Sequence, residues 1–244
     1  YRWMNIDYYI FTNQGDRNYN EDYSLVRICG DNSCFIVNDG LGGCGKGEIA
    51  SALVAKSIES HFMDGIEDNF LKSSFCLAEH QLEEKQKENI SLNSMKTTSV
   101  VLSINNNYAQ WAHIGDSRLY YFCQNRIKER TLDHSVPQML VNMKEIKEKD
   151  IRFHKDRNRL LKAIGNGDPN LEPTISRKYK LSSKTAFLLC TDGFWELIDE
   201  KEMIGCLRRT SNAKDWVKEM GAIVVSRGKG NNMDNVTAIG VRIK

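Results

Sequence analysis

Long apolar runs are missing from this chain. No stretch of its 244 residues reaches the length that crosses a bilayer, and the opening YRWMNIDYYIF has no signal-peptide anatomy. Neither a membrane span nor a secretory leader is expected, and the absence of an initiating methionine points to trimming. Excess charge of one sign is missing too. The 34 Lys and Arg stand against 32 Asp and Glu, and a net charge of +2 gives no electrostatic reason to bind nucleic acid. Proline is scarce, with only Pro137, Pro169 and Pro173, and no low-complexity linker or repeat divides the chain. One domain over residues 1–244 is expected, and a monomer. The seven cysteines are odd in number and scattered, with no C-x-x-C pair. That usage fits the reduced thiols of a cytoplasm better than a disulfide framework or a zinc site.

What is present is a succession of short elements. DYSLVRICGDNSCFIVNDG reads as two strands around a Gly30-Asp31-Asn32 turn. Ile49, Ala50, Leu53, Val54, Ile58 and Phe62 recur at helical spacing between Gly47 and Phe62, and a second helix is expected over Asn69 to Lys87. TTSVVLSI and NYAQWAHIGDSRLYYF read as two strands joined at Asn105-Asn106-Asn107. A charged helical insertion is expected from Pro137 to Lys149, a strand at TAFLLCTDG, helices at WELIDEKEMIGCLR and DWVKEMGAIVVSRG, and a closing strand VTAIGVRI. Strands cluster as meanders between helix pairs without βαβ alternation, so the fold class is α+β with antiparallel sheets.

Two chemistries compete for the segment FIVNDGLGGCGKGEIA. Gly40-x-x-x-x-Gly45-Lys46 matches most of a nucleotide P-loop and lies between a strand and a helix. The last position fails, because Gly47 stands where Ser or Thr would hold Mg²⁺. Asp39 at the loop entrance also sets a like charge beside any phosphate. The other reading starts from two apolar strands that end alike, FIVNDG at Asp39-Gly40 and FLLCTDG at Asp192-Gly193. A rigid strand tip aims a carboxylate, and the glycine after it lets another group come close. Glu21 and Asp22 in NYNEDY, and Asp234 before the last strand, are further acids beside turns. Four converging aspartates would repel strongly; two divalent cations would balance them, and all-oxygen ligation suits Mg²⁺ or Mn²⁺. Each Asp-Gly taken singly is also an ordinary turn.

Taken together and in order, these motifs resemble the metal-dependent serine/threonine protein phosphatases (the PPM or type-2C family) in their short bacterial form. The resemblance runs through Gly15-Asp16-Arg17-Asn18-Tyr19-Asn20-Glu21-Asp22, then Asp39-Gly40-Leu41-Gly42-Gly43, then Thr97-Thr98. It continues through Gly115-Asp116-Ser117-Arg118, Asp133-His134-Ser135, Arg157-Asn158, Thr191-Asp192-Gly193 and Asp234-Asn235-Val236-Thr237. The resemblance implies a four-layer αββα sandwich, two antiparallel sheets between antiparallel helix pairs, with a variable flap at about residues 135–156. It implies that Asp39 bridges two metals, Asp192 and Asp234 complete one, and Asp22 with the Gly40 carbonyl serves the other. Glu21 would be a ligand directly or through water, and Asp116 would join Asp192 on a third, weaker ion.

The implied reaction is hydrolysis of phosphoserine and phosphothreonine in proteins. A water or hydroxide bridging two Mn²⁺ or Mg²⁺ ions attacks phosphorus in line, and Arg17 forks onto the phosphate oxygens. The implied partners are phosphoproteins and an opposing Ser/Thr kinase. Animal-type members carry a histidine after the metal-loop Asp-Gly; here Leu41 stands there and donates no proton. His154 on the flap, or a metal-bound water, is expected to protonate the leaving oxygen. His134 is expected to fix the base of the flap and His113 to be a satisfied sheet residue. Cys44 could be an oxidisable thiol near the metals or a small loop residue. A non-catalytic binding module on the same fold is the alternative within the family, and the P-loop NTPase is the alternative outside it.

Overall fold

The computed structural model describes residues 5–42, 46–168 and 170–244. The chain begins with β1 (Ile6–Asn13), β2 (Asp22–Cys29) and β3 (Asn32–Leu41), followed by helices α1 (Lys46–Asp64) and α2 (Phe70–Glu88). A meander follows: β4 (Lys96–Thr97), β5 (Ser99–Asn105), β6 (Tyr108–Ile114), β7 (Arg118–Cys123) and β8 (Arg126–Arg130). Then come α3 (Val136–Asn142), the short strands β9 (Thr174–Ile175) and β10 (Tyr179–Lys180), and β11 (Thr185–Cys190). The chain ends with α4 (Asp192–Trp195), α5 (Glu200–Arg209), α6 (Ala213–Gly228) and β12 (Val236–Ile243).

The strands form two antiparallel sheets. One has the order β1-β12-β11-β7-β8; the other runs β10-β6-β5-β3-β2, with β4 beside β3 and β9 beside β6. Alternation along β3 shows how the layers stack. Phe35 and Val37 face inward and meet Leu102, Phe187, Leu189 and Ile239 between the sheets. Cys34 and Ile36 face outward onto Val54 and Ile58 of α1 and Phe75 and Leu82 of α2. On the far side, Tyr120, Leu188 and Ala238 pack against Met203 of α5 and Trp216 and Met220 of α6. Three apolar interfaces separate four layers, α/β/β/α, as the resemblance implies. Central strands covered on both faces read as unbroken apolar runs, which is why FIV, VVL and FLL were recognisable as strands.

Four expectations need correction. The sixteen residues from Asn107 to Phe122 form two strands, because the chain leaves the seven-stranded sheet after Ile114 and enters the other at Arg118. TTSVVLSI divides likewise into β4 and β5 at Thr98. The insertion helix expected over 137–149 stops at Asn142. Lys144 takes a positive φ of 63°, and its N–H turns back to Val141 O, which ends the helix before the charged run. That run instead enters a 3₁₀ turn at Glu148–Phe153. Finally, WELIDEKEMIGCLR splits, because Asp199 caps α5 by accepting from Glu202 N while Glu202 reaches back to Asp199 N. Among the described residues no helix is long and apolar enough to cross a membrane.

The end of β3 and the first turn of α1 touch backbone to backbone. A Cβ on Gly47 would lie 2.5 Å from Gly40 C, and one on Gly40 would lie 2.1 Å from Gly47 O. Neither neighbour is a side chain that can swing away. Gly47→Ala is therefore expected to destabilise by about 1–3 kcal/mol despite alanine's better helix propensity. A urea melt checks this, and an unchanged midpoint would show that α1 can slide away from β3.

Candidate active site

Strand ends from both sheets converge on one cleft of about 440 Å³. Asp22 opens β2 directly opposite Asp39 near the end of β3. Asp192 follows β11 at the start of α4, and Asp234 precedes β12. Asp116 lies in the crossover between β6 and β7. Arg17, Glu21, Asp39, Asp116, Asp192 and Asp234 all line the cleft, together with Gly40 and Leu41.

Local chemistry fixes each carboxylate. The main chain of Asp39 is held by the Thr97-Thr98 pair: Thr98 N and Thr97 Oγ1 donate to Asp39 O at 2.9 and 2.8 Å, and Asp39 N donates to Thr98 Oγ1 at 3.1 Å. Thr191 Oγ1 reaches across from the other sheet and donates to Asp22 Oδ2 at 2.9 Å. Asp192 Oδ1 accepts from Gly193 N at 2.6 Å, and Gly193 passes so close to Asn235 that a Cβ would stand 2.1 Å from Asn235 O. Asn235 ties the N-terminal loop to β12. Its Oδ1 accepts from Glu21 N at 2.8 Å, and its Nδ2 donates to Gln14 O and Tyr19 O at 2.7 and 2.9 Å.

The electrostatics are those of crowded anions. Burial, then the charges of Asp192, Asp22, Asp116 and Asp234, push the Asp39 carboxyl well above the usual range. Asp22 rises to about 8, chiefly through burial and also through Asp192 and Asp234, against hydrogen bonds from Thr237 and Thr191. Asp116 is raised well above the ordinary value by burial, Asp192 and Asp133. Asp192 rises to about 6 through burial and Asp234, moderated by a hydrogen bond with Asp39. Arg17 reaches into this group, its Nη2 lying 2.8 Å from Asp234 Oδ2.

This donor set fits hard divalent cations. It is all oxygen, and Asp22 Oδ1 is buried without a hydrogen-bond partner, a lone pair left for a ligand of another kind. The side chains do not close into a finished cage: among the described residues no three His, Cys, Asp or Glu gather round one point. Asp234 is turned onto Arg17, and Asp192 onto Gly193 N and Asp39.

The same loop answers the phosphate-loop alternative. Glu21 Oε1 accepts from Gly47 N at 3.1 Å, so a carboxylate already occupies the start of α1 where a phosphate would sit. The profile of the family described as Protein phosphatase 2C matches residues 13–224. The chain belongs to the protein phosphatase 2C family.

Among its relatives, the serine/threonine phosphatase Stp of Listeria welshimeri is 26% identical over 233 residues, covering 91% of this chain and 90% of that one. The solved serine/threonine phosphatase Stp1 from Staphylococcus aureus superposes with a TM-score of 0.88 at 27% identity, covering 98% of this chain and 95% of that one. The catalytic domain of the phosphatase PstP, solved in complex with 2 manganese ions, shares the fold with a TM-score of 0.85 at 21% identity over 98% of each chain.

For this member of the protein phosphatase 2C family, Glu21, Asp39, Asp116, Asp192 and Asp234 line the cleft with Arg17 and Gly40, while Asp22 lies buried beneath it, opposite Asp39. His154 is not brought to the cleft: it ends the 3₁₀ turn, with Nδ1 accepting from Asp156 N at 3.1 Å. Gly43, Cys44 and Gly45 lie outside the described residues. Sequence reasoning missed Asn235 and the two threonines as organisers. The signal for Asn235 was its place next to Asp234 in D-N-x-T; Thr97-Thr98 has no acid beside it in the chain.

Proposed function

We propose that this cleft hydrolyses phosphoserine and phosphothreonine in proteins with the help of two Mn²⁺ or Mg²⁺ ions. The observation that carries the reading is the gathering of four strand-end aspartates, Asp39, Asp192 and Asp234 lining the cleft and Asp22 buried opposite Asp39 with its Oδ1 unpartnered. The manganese ions of the PstP structure support it by likeness of fold. Asp39 would bridge both cations, Asp192 and Asp234 would hold one, and Asp22 with Gly40 O the other. Asp116 with Asp192 would hold a third, weaker ion. When bound, such a pair supplies Lewis acidity and a water acidified from a pKa of about 15.7 to about 7.

The chain's own groups do the rest. Arg17 leaves Asp234 to fork onto the non-bridging phosphate oxygens, and its permanent charge offsets the charge that develops in the transition state. Glu21 keeps α1 docked through Gly47 N, which holds the Gly40 carbonyl at the cleft. No histidine lines the cleft among the described residues, so the leaving oxygen takes its proton from cleft water. Residues 1–244 act as one domain whose segment 135–156 serves as the flap. The opposing enzyme is a Ser/Thr kinase.

A phosphothreonine peptide tests the reading. Mn²⁺-dependent release of phosphate is expected, abolished by EDTA and by Asp234→Asn. Mn²⁺ binding seen by calorimetry without turnover would replace it with a non-catalytic binding module.

A further inference from the structure

The Asp133-His134-Ser135 motif lies outside the carboxylate cluster, yet it is joined to Asp116 from two sides, through Gly115 on one and through Arg118 and Trp195 on the other. His134 grips Gly115 at both ends of its polar backbone. Gly115 N donates to His134 Nδ1 at 3.1 Å, and His134 N donates to Gly115 O at 2.9 Å. On the other flank, Arg118 donates to both carboxylate oxygens of Asp133 at 2.8 and 2.7 Å. The Arg118 guanidinium lies 3.4 Å over the Trp195 ring, and Trp195 Nε1 donates to Asp116 O at 2.9 Å.

The His134 ring is itself held. Accepting at Nδ1 leaves the proton on Nε2, which donates to Thr174 Oγ1 at 2.9 Å. His113 stacks on it, with ring centroids 4.5 Å apart and planes 6° from parallel. Burial, then the neighbouring His113 and Lys162, hold His134 down to about 3, so the ring stays neutral and Nδ1 remains an acceptor.

We infer that His134 is a positioning residue for the cleft: as a neutral acceptor it fixes the Gly115 peptide and so sets where Asp116 presents its carboxylate. This rests on the proposed metal-dependent reading for its catalytic consequence, but the geometric part does not.

Four variants separate this from a plain packing role. His134→Phe keeps the stacked ring and loses the acceptor; His134→Asn puts Oδ1 at the position of Nδ1; Asp116→Asn and Asp116→Asn/His134→Phe complete a cycle. The first readout needs neither metal nor substrate. Amide hydrogen exchange at Gly115 and Asp116 is expected to quicken about 10-fold or more in His134→Phe and to stay near wild type in His134→Asn. The second is calorimetric Mn²⁺ titration, in which His134→Phe weakens the weakest site about 10- to 100-fold and His134→Asn restores it. The third is kinetic: His134→Phe lowers kcat with little change in KM, and the double variant is no slower than Asp116→Asn alone. Unchanged exchange in His134→Phe, or losses that multiply in the double variant, would overturn the inference. Absence of Mn²⁺ binding in the wild type would overturn the functional reading instead, and the exchange experiment would still decide the role of His134.

Discussion

Asp39→Asn is expected to give a protein that melts higher without metal and fails to turn over with it. Asp39 stands where the other acids meet, and its carboxyl is raised by burial and by four neighbouring aspartates. Its main-chain groups are fixed by Thr97 and Thr98 independently of the side chain. An amide of the same shape keeps those bonds, can still donate to Asp192, and spares the fold the cost of holding a proton on a carboxyl buried among other acids. Such relief at a functional site contributes about 1 kcal/mol, or roughly 2–4 °C in a chain of this size. On the proposed reading, cation binding would lose the oxygen assigned to bridge both ions, and hydrolysis is expected to fall on the order of 10³-fold or more. Thermal melts in EDTA and phosphate release in Mn²⁺ read the two effects separately. Retention of most activity would remove Asp39 from the bridging role. A lower melting point would mean that its carboxylate stabilises the metal-free fold, contrary to the crowding described.

What the sequence disclosed follows from how local each signal is. Asp39 and Asp192 were legible because an apolar strand, an acid and a glycine are adjacent in the chain, and the strand alone fixes where the acid points. The layers were legible because strands buried on both faces carry unbroken apolar runs. Partnerships made across the fold were hidden. Nothing near Asn235 says that its amide will hold Gln14 and Tyr19, and nothing near Glu21 says that it will bind the start of α1. The sheet change at Gly115 was hidden for a related reason: both halves of NYAQWAHIGDSRLYYF have strand composition, and composition does not tell which sheet a strand joins. The edge strands β1 and β8 are only partly buried, so neither shows a clean pattern. The position of His154 was hidden too, because a histidine in the right segment carries no information about which way its loop turns.

The crowding also predicts how stability depends on pH. A carboxyl whose pKa is higher in the fold than in the open chain binds more protons when folded, so stability is full below the open-chain value and is lost as pH rises. Asp22, raised to about 8, and Asp39 and Asp116, raised well above the ordinary range, act in this sense. His134, held down to about 3, and His113, also lowered by burial, act in the opposite sense. Their contribution is present above about 6.5 and is lost as pH falls below it. Above pH 6.5 the histidines are neutral in both states, and the carboxyl contribution stands alone. The metal-free protein is therefore expected to be most stable at mildly acidic pH and to lose about 5 °C or more, roughly 2 kcal/mol, between pH 6.5 and 9. Saturating Mg²⁺ should cancel that decline, because cations bind the ionised carboxylates and their stabilisation grows with pH. Asp22→Asn should flatten the metal-free curve over the same range. Melting curves in EDTA and in Mg²⁺ decide it: a metal-free midpoint that holds or rises towards pH 9 would mean that these acids are already ionised and compensated within the fold. The case for a cation site built on their repulsion would then fail with it.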